Sequence, residues 1–154
     1  MAKTIKNYTS TIPASTSMAR IEDMLVEAGA RNIHKSYNNN RECDAIIFVM
    51  AVPDNPLPMH FKLPAKVEAC YETLWKMYLK TVKKPQEATK ATIRKQASMT
   101  AWKIIHDWVE LQLTLIQLEQ AEPMELFLPY VYNPETNETF YEHAKSKGFK
   151  QLAQ

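Results

Sequence analysis

Lys76, Lys80, Lys83, Lys84, Lys90, Arg94 and Lys95 crowd one stretch of the chain with side chains suited to a polyanion. Between positions 76 and 103, where Lys103 adds an eighth base, Glu87 is the lone acid and the net charge is +7. Ammonium and guanidinium groups neutralise phosphates and release the counterions condensed on them, which is the sequence-independent part of nucleic-acid binding. Trp75, Tyr78 and Trp102 lie in or beside this stretch, and their ring faces offer surfaces on which the bases of a single strand can stack. A plainer account competes with this one. The same lysines can be the solvated side of two amphipathic helices whose aromatic residues face a core.

The excess of bases is answered further along. From Ile104 to Glu142 there are eight acids and no lysine or arginine, a net of −8, so the formal +2 of the 154-residue chain conceals a dipolar sequence. Acidic balance within the fold is the plain reading of this half, and a docking surface is the functional one.

Other chemistries find less to work with. His106 and Glu110 stand one helical turn apart with Asp107 adjacent, the best local start of a metal site, but the second histidine of a zinc-protease helix is missing. His34, His60 and His143 are scattered over other segments. The pair therefore reads as an exposed helix edge carrying a short-range polar contact. The carboxylate pairs Glu22 with Asp23 and Asp107 with Glu110 fall on polar helix faces, where ordinary solvated pKa values are expected. Cys43 and Cys70 sit in apolar runs and read as reduced core residues, without an electropositive neighbour to activate a thiolate. Two glycines, Gly29 and Gly148, are too few for a P-loop or a dinucleotide fingerprint. No catalytic residue, metal ligand or cofactor site is assigned, and the chain reads as a non-enzyme.

The elements that must position these residues follow from periodicity. The run Tyr8 to Ile12 is β-prone and predicts an edge strand closed by Pro13. Ser15 or Ser17 can cap a helix presenting Met18, Ile21, Leu25 and Ala28 on one face, stopped by Gly29. Ile33, Lys35 and Tyr37 alternate, Asn38, Asn39 and Asn40 turn the chain, and the apolar stretch from Cys43 to Val52 has the composition of a central strand. Leu57, Met59, Phe61 and Leu63 alternate as a further, antiparallel strand.

Helical spacing then takes over. Val67, Tyr71, Leu74 and Tyr78 share a stripe that Cys70, Trp75 and Met77 widen, over roughly 65–80. A longer helix is predicted over 87–121, with one row at Ile93, Ala97, Ala101, Ile104, Trp108, Leu111, Leu115 and Leu118 and a second at Trp102, Ile105, Val109, Leu113 and Ile116. At about 1.5 Å per residue it would be long for so small a fold, so it must kink or project. Its double stripe suits core burial first and a homo-oligomeric interface second. Pro123 ends it, a turn is expected around Asn133 to Asn137, and a terminal helix around Phe140 to Lys147 stops at Gly148. The whole predicts one α+β domain over 1–154, with a small antiparallel sheet of three to four strands packed against helices. The N-terminal residues are polar and no later run reaches membrane-spanning length, so the sequence reads as cytoplasmic with no membrane partner.

Several segments together carry a resemblance. Ile12, Pro13, Ala14 and Ser15 lead into Ile21, Glu22, Met24, Leu25, Ala28, Gly29 and Ala30. Phe61, Lys62, Leu63 and Pro64 follow, then Ala101, Trp102, Lys103, Ile104, Ile105, Asp107, Trp108, Val109, Glu110, Gln112 and Leu113, then Phe127, Leu128, Pro129 and Tyr130. In this order they resemble a largely uncharacterised family of small proteins encoded by tailed phages and mobile elements. The resemblance covers most of the chain and implies a setting, the cytoplasm of a bacterial host, without transferring an activity. The polar stretch 81–92 is longer than that pattern, so no shared ligand site is carried onto it.

Three functions are expected from these readings. The first is a non-enzymatic phage or mobile-element accessory protein that binds nucleic acid, or a host or phage nucleic-acid-processing enzyme, through the seven basic residues. The second is an anti-defence protein that inhibits a host nuclease by contact or sequesters a nucleotide signal. The third is a metal-assisted hydrolase built on His106 and Glu110.

Overall fold

The computed structural model describes residues 5–150, 152 and 153. Its elements run α1 (Ala14–Glu27), β1 (Arg31–Tyr37), β2 (Cys43–Met50), β3 (Met59–Pro64), α2 (Val67–Thr81), α3 (Thr89–Gln117), α4 (Pro123–Phe127), a 3-10 turn (Leu128–Tyr130), β4 (Tyr132–Asn133), β5 (Glu138–Thr139) and α5 (Phe140–Ser146). The class is α+β, as the periodicities predict. Two compact units divide it: residues 1–23 with 65–110, and residues 24–64 with 111–154.

The second unit holds the sheet, antiparallel throughout with order β1-β2-β3. Asn38 turns the β1–β2 hairpin, its Oδ1 accepting the Asn40 and Glu42 amides at 2.9 and 3.0 Å. β2 is paired on both edges and buried on both faces, with only Asp44 and Val49 partly exposed, which is why its sequence is apolar from Ala45 to Met50 rather than alternating. Phe48 faces Phe61 across β2 and β3 with ring centroids 5.3 Å apart, and Phe127 from α4 packs edge-on to both at 6.4 and 6.1 Å. Edge-to-face and offset packing of this kind fixes the rings beyond what burial alone supplies.

The caps follow local chemistry. Gly29 adopts φ +99°, the left-handed region that ends α1 while the Ala30 amide reaches the Leu25 carbonyl at 2.9 Å. α1 begins at Ala14, directly after Pro13, so neither predicted serine caps it; Ser17 lies inside the helix and is fully buried. Thr139 and Glu142 close a reciprocal capping box on α5, and Glu122 with Glu125 does so on α4.

Three expectations change. The segment around Tyr8 to Ile12 is a series of turns rather than an edge strand, because Asn7 takes φ 62° and the backbone oxygens of Asn7 and Ser10 are claimed by side chains of α3. The long helix is one uninterrupted element of 29 residues, about 44 Å at 1.5 Å per residue, shorter at both ends than predicted. Its buried apolar positions are Ala97, Ala101, Trp102, Val109 and Leu113, while Leu111 and Leu118 from the expected main row are 57% and 63% exposed. Among the described residues no helix is long and apolar enough to cross a membrane.

Candidate nucleic-acid interface

Residues at i, i+4 and i+7 of a helix share one face. On α2 those positions are Tyr71, Trp75 and Tyr78, all half-buried, and their rings form a continuous row. Tyr71 and Trp75 stack with centroids 6.5 Å apart and planes 16° from parallel; Trp75 and Tyr78 follow at 5.2 Å and 34°.

The first turns of α3 lay two cations over this row. Lys90 Nζ lies 5.4 Å from the Trp75 ring centre, and Arg94 Cζ lies 5.2 Å from that of Tyr71, both within reach of the ring quadrupole. Each cation also meets a carboxylate. Lys90 Nζ is 2.9 Å from Glu87 Oε2, and Arg94 Nη2 donates to Glu68 Oε2 at 2.6 Å. The hydrogen bond to Glu87, with its charge, raises the Lys90 pKa above the usual lysine value. Two ring–cation–carboxylate units therefore stand side by side, their cations one helical turn apart at i and i+4.

The remaining predicted residues surround this centre differently. Lys76 and Lys80 lie on the opposite side of α2 from the rings, by its 3.6-residue period. Lys83 and Lys84 occupy the connection between α2 and α3, and Lys95 is one position beyond Arg94. All five are exposed, and none is ion-paired with a described residue. Of the seven bases, then, only Lys90 and Arg94 are brought to the aromatic row.

Trp102 is not a stacking surface. It is fully buried and its indole N–H finds no partner among the described residues, so it fills the core, in line with the competing account of the aromatics. Tyr71 and Glu68 complete the arrangement in its place. The i, i+4 and i+7 spacing of three rings on α2 was the signal for Tyr71; Glu68 has none, since its partner Arg94 lies on another helix.

A second polar cluster gathers on α3. Asp107 Oδ1 accepts from Lys103 Nζ at 2.6 Å and lies 2.8 Å from His106 Nδ1, while its Oδ2 accepts from Asn7 Nδ2 at 2.9 Å and stands 3.5 Å from Lys6 Nζ. Burial alone would raise the Asp107 pKa; hydrogen bonds from Lys103, Asn7 and His106, with the Lys103 charge, outweigh it and hold the carboxyl well below its usual range. The expectation of an ordinary solvated Asp107 fails for that reason. His106 is buried rather than on an exposed edge, with Asp107 beside its ring nitrogen. Among the described residues no group of three or more His, Cys, Asp or Glu is placed to hold a metal ion.

The same face of α3 also supplies Gln96, whose Nε2 donates to Ser10 O at 3.0 Å, and Thr100, whose hydroxyl donates to Asn7 O at 2.8 Å. Gln96, Thr100 and Asp107 are spaced by four and seven and make one polar stripe that clasps the N-terminal turns. The cluster is thus a structural fastening.

Cys43 is buried and Cys70 half-buried, the two not joined in a disulfide, and burial pushes the Cys70 thiol pKa up, away from reactivity. No family model matches the chain, and no curated protein or solved structure matches it either.

Proposed function

We propose that the chain is a non-enzymatic nucleic-acid-binding protein that follows a phosphate backbone along the face made by α2, the 82–88 connection and the start of α3. The observation that carries this reading is the aromatic row of α2 topped by Lys90 and Arg94, with Lys83 and Lys84 in the adjoining connection and Lys95 next to Arg94, all three exposed and none ion-paired with a described residue. Exposed lysines gathered without ion-pair partners project a positive field toward solvent. The charge also follows the two compact units. Counted over the sequence, the unit containing α2 has twelve bases against seven acids, net +5, and the other has seven against ten, net −3. With the resemblance described above, this reading makes the protein an accessory factor of a phage or mobile element acting inside a bacterial host.

Fluorescence-anisotropy titration of single-stranded DNA, duplex DNA and RNA at low and physiological salt tests it. Binding is expected to weaken steeply with salt, since each phosphate contact returns counterions. A K83E/K84E/K95E variant changes only exposed, unpaired side chains; it is expected to keep the wild-type melting curve and to bind at least about ten-fold more weakly. Absence of binding to all three probes at low salt refutes the proposal.

A further inference from the structure

We propose that the two ring–cation–carboxylate units, Tyr71 with Arg94 and Glu68 and Trp75 with Lys90 and Glu87, are paired phosphate subsites selective for a single strand. In them Glu68 and Glu87 occupy the anion positions until a phosphate displaces them. This rests on the nucleic-acid reading above and specifies its ligand.

Three features argue for it. The cations sit at i and i+4, about 6 Å apart along the helix axis by the 1.5 Å rise, a spacing comparable to that of neighbouring phosphates in an extended strand. Each cation lies over a different ring of one continuous row, so a strand whose phosphates meet Lys90 and Arg94 has its bases beside Trp75 and Tyr71. Duplex DNA keeps its bases stacked inward and cannot lay them against the solvent-facing parts of these half-buried rings, whereas an unpaired base can.

The carboxylates explain how the cations are held ready. Arg94 is 31% exposed and Glu68 61%; Lys90 is 44% exposed and Glu87 85%. The acids are thus the more solvated partner in both units, and withdrawing one to water leaves its cation fixed over a ring. Ion pairs this exposed are weak, so a phosphate ester can exchange with either acid at little cost. Glu68 and Glu87 act on affinity as internal competitors and do not touch the bases.

The test compares wild-type protein with E68Q, E87Q and the double variant, using a 20-nucleotide oligothymidine, an abasic strand of equal length and a 20-base-pair duplex. Wild type is expected to bind oligothymidine about ten-fold or more tighter than either of the others, because neither of those presents an unpaired base to the rings. E68Q and E87Q are each expected to tighten binding of oligothymidine about two- to five-fold, with melting temperatures checked to show that the fold is kept. Equal affinities for the three probes, or glutamine variants that bind no more tightly than wild type, overturn the paired subsites while leaving lysine-driven binding in place. If no probe binds at low salt, both this inference and the function beneath it fall.

Discussion

Asn7 Nδ2 lies 2.9 Å from Asp107 Oδ2 and so joins two positions 100 residues apart in sequence. The carboxylate it meets is already engaged by Lys103 and His106, which gives α3 a charged anchor for the N-terminal turns.

That anchor makes stability depend on acid. The folded Asp107 pKa lies below its unfolded value near 3.9, so the carboxylate adds stability that is fully present above the unfolded value. The contribution declines as pH falls through that value and is gone once the folded carboxyl is protonated. Thermal melts between pH 7 and pH 2 should show Asp107→Asn less stable than wild type at pH 7, the two converging as the pH drops. A constant gap across that range would show that Asp107 does not titrate as described.

Thr100 is buried and its hydroxyl serves two partners, donating to Asn7 O and accepting from Gln96 Nε2 at 3.1 Å. Thr100→Val keeps the shape and strands the Asn7 carbonyl, a loss of about 1–3 kcal/mol. Amide hydrogen exchange should quicken first at Tyr8 and Ser10, whose amides close the turns beside Asn7, before any change in the sheet. Uniform acceleration over the whole chain would contradict a local fastening.

Phe127 is fully buried against the stacked pair Phe48 and Phe61. Phe127→Ala should cost about 3–5 kcal/mol, read as a lowered urea midpoint at unchanged slope. A loss under about 1 kcal/mol would mean the ring cluster does not hold α4 to the sheet.

Gly29→Ala meets no atom within 4 Å, yet φ +99° is strained for any side chain. The expected cost is about 1–2 kcal/mol from the backbone alone, with no change in the surrounding packing. A neutral substitution would show that α1 can end in another conformation.

How far the sequence foretells this structure depends on the distance over which each signal acts. β2 is readable because a strand buried on both faces is apolar along most of its length, here Ala45 to Met50, and Gly29 because few other residues take its φ. The N-terminal segment was misread as a strand. The β-branched residues near Tyr8 favour an extended chain locally, but the hydrogen bonds that decide its path come from Gln96 and Thr100, about ninety positions away. The site divides in the same manner. The bases and two of the three rings of α2 announce themselves by type and spacing, whereas Glu68 enters only because Arg94 on another helix reaches it. Trp102 keeps the place its apolar row on α3 gives it, facing inward, and not that of a stacking surface beside the basic stretch.

The different settings of Trp75 and Trp102 give the protein an optical readout of its own. An indole sealed from solvent emits at shorter wavelength and is sheltered from acrylamide, whereas a half-buried one beneath an ammonium group remains open to collisional quenching. With the half-buried Trp108 replaced by phenylalanine, emission from the unlabelled chain therefore divides into a sheltered component from the core and a reachable one from the face of α2, and occupancy of that face can be followed without attaching a dye.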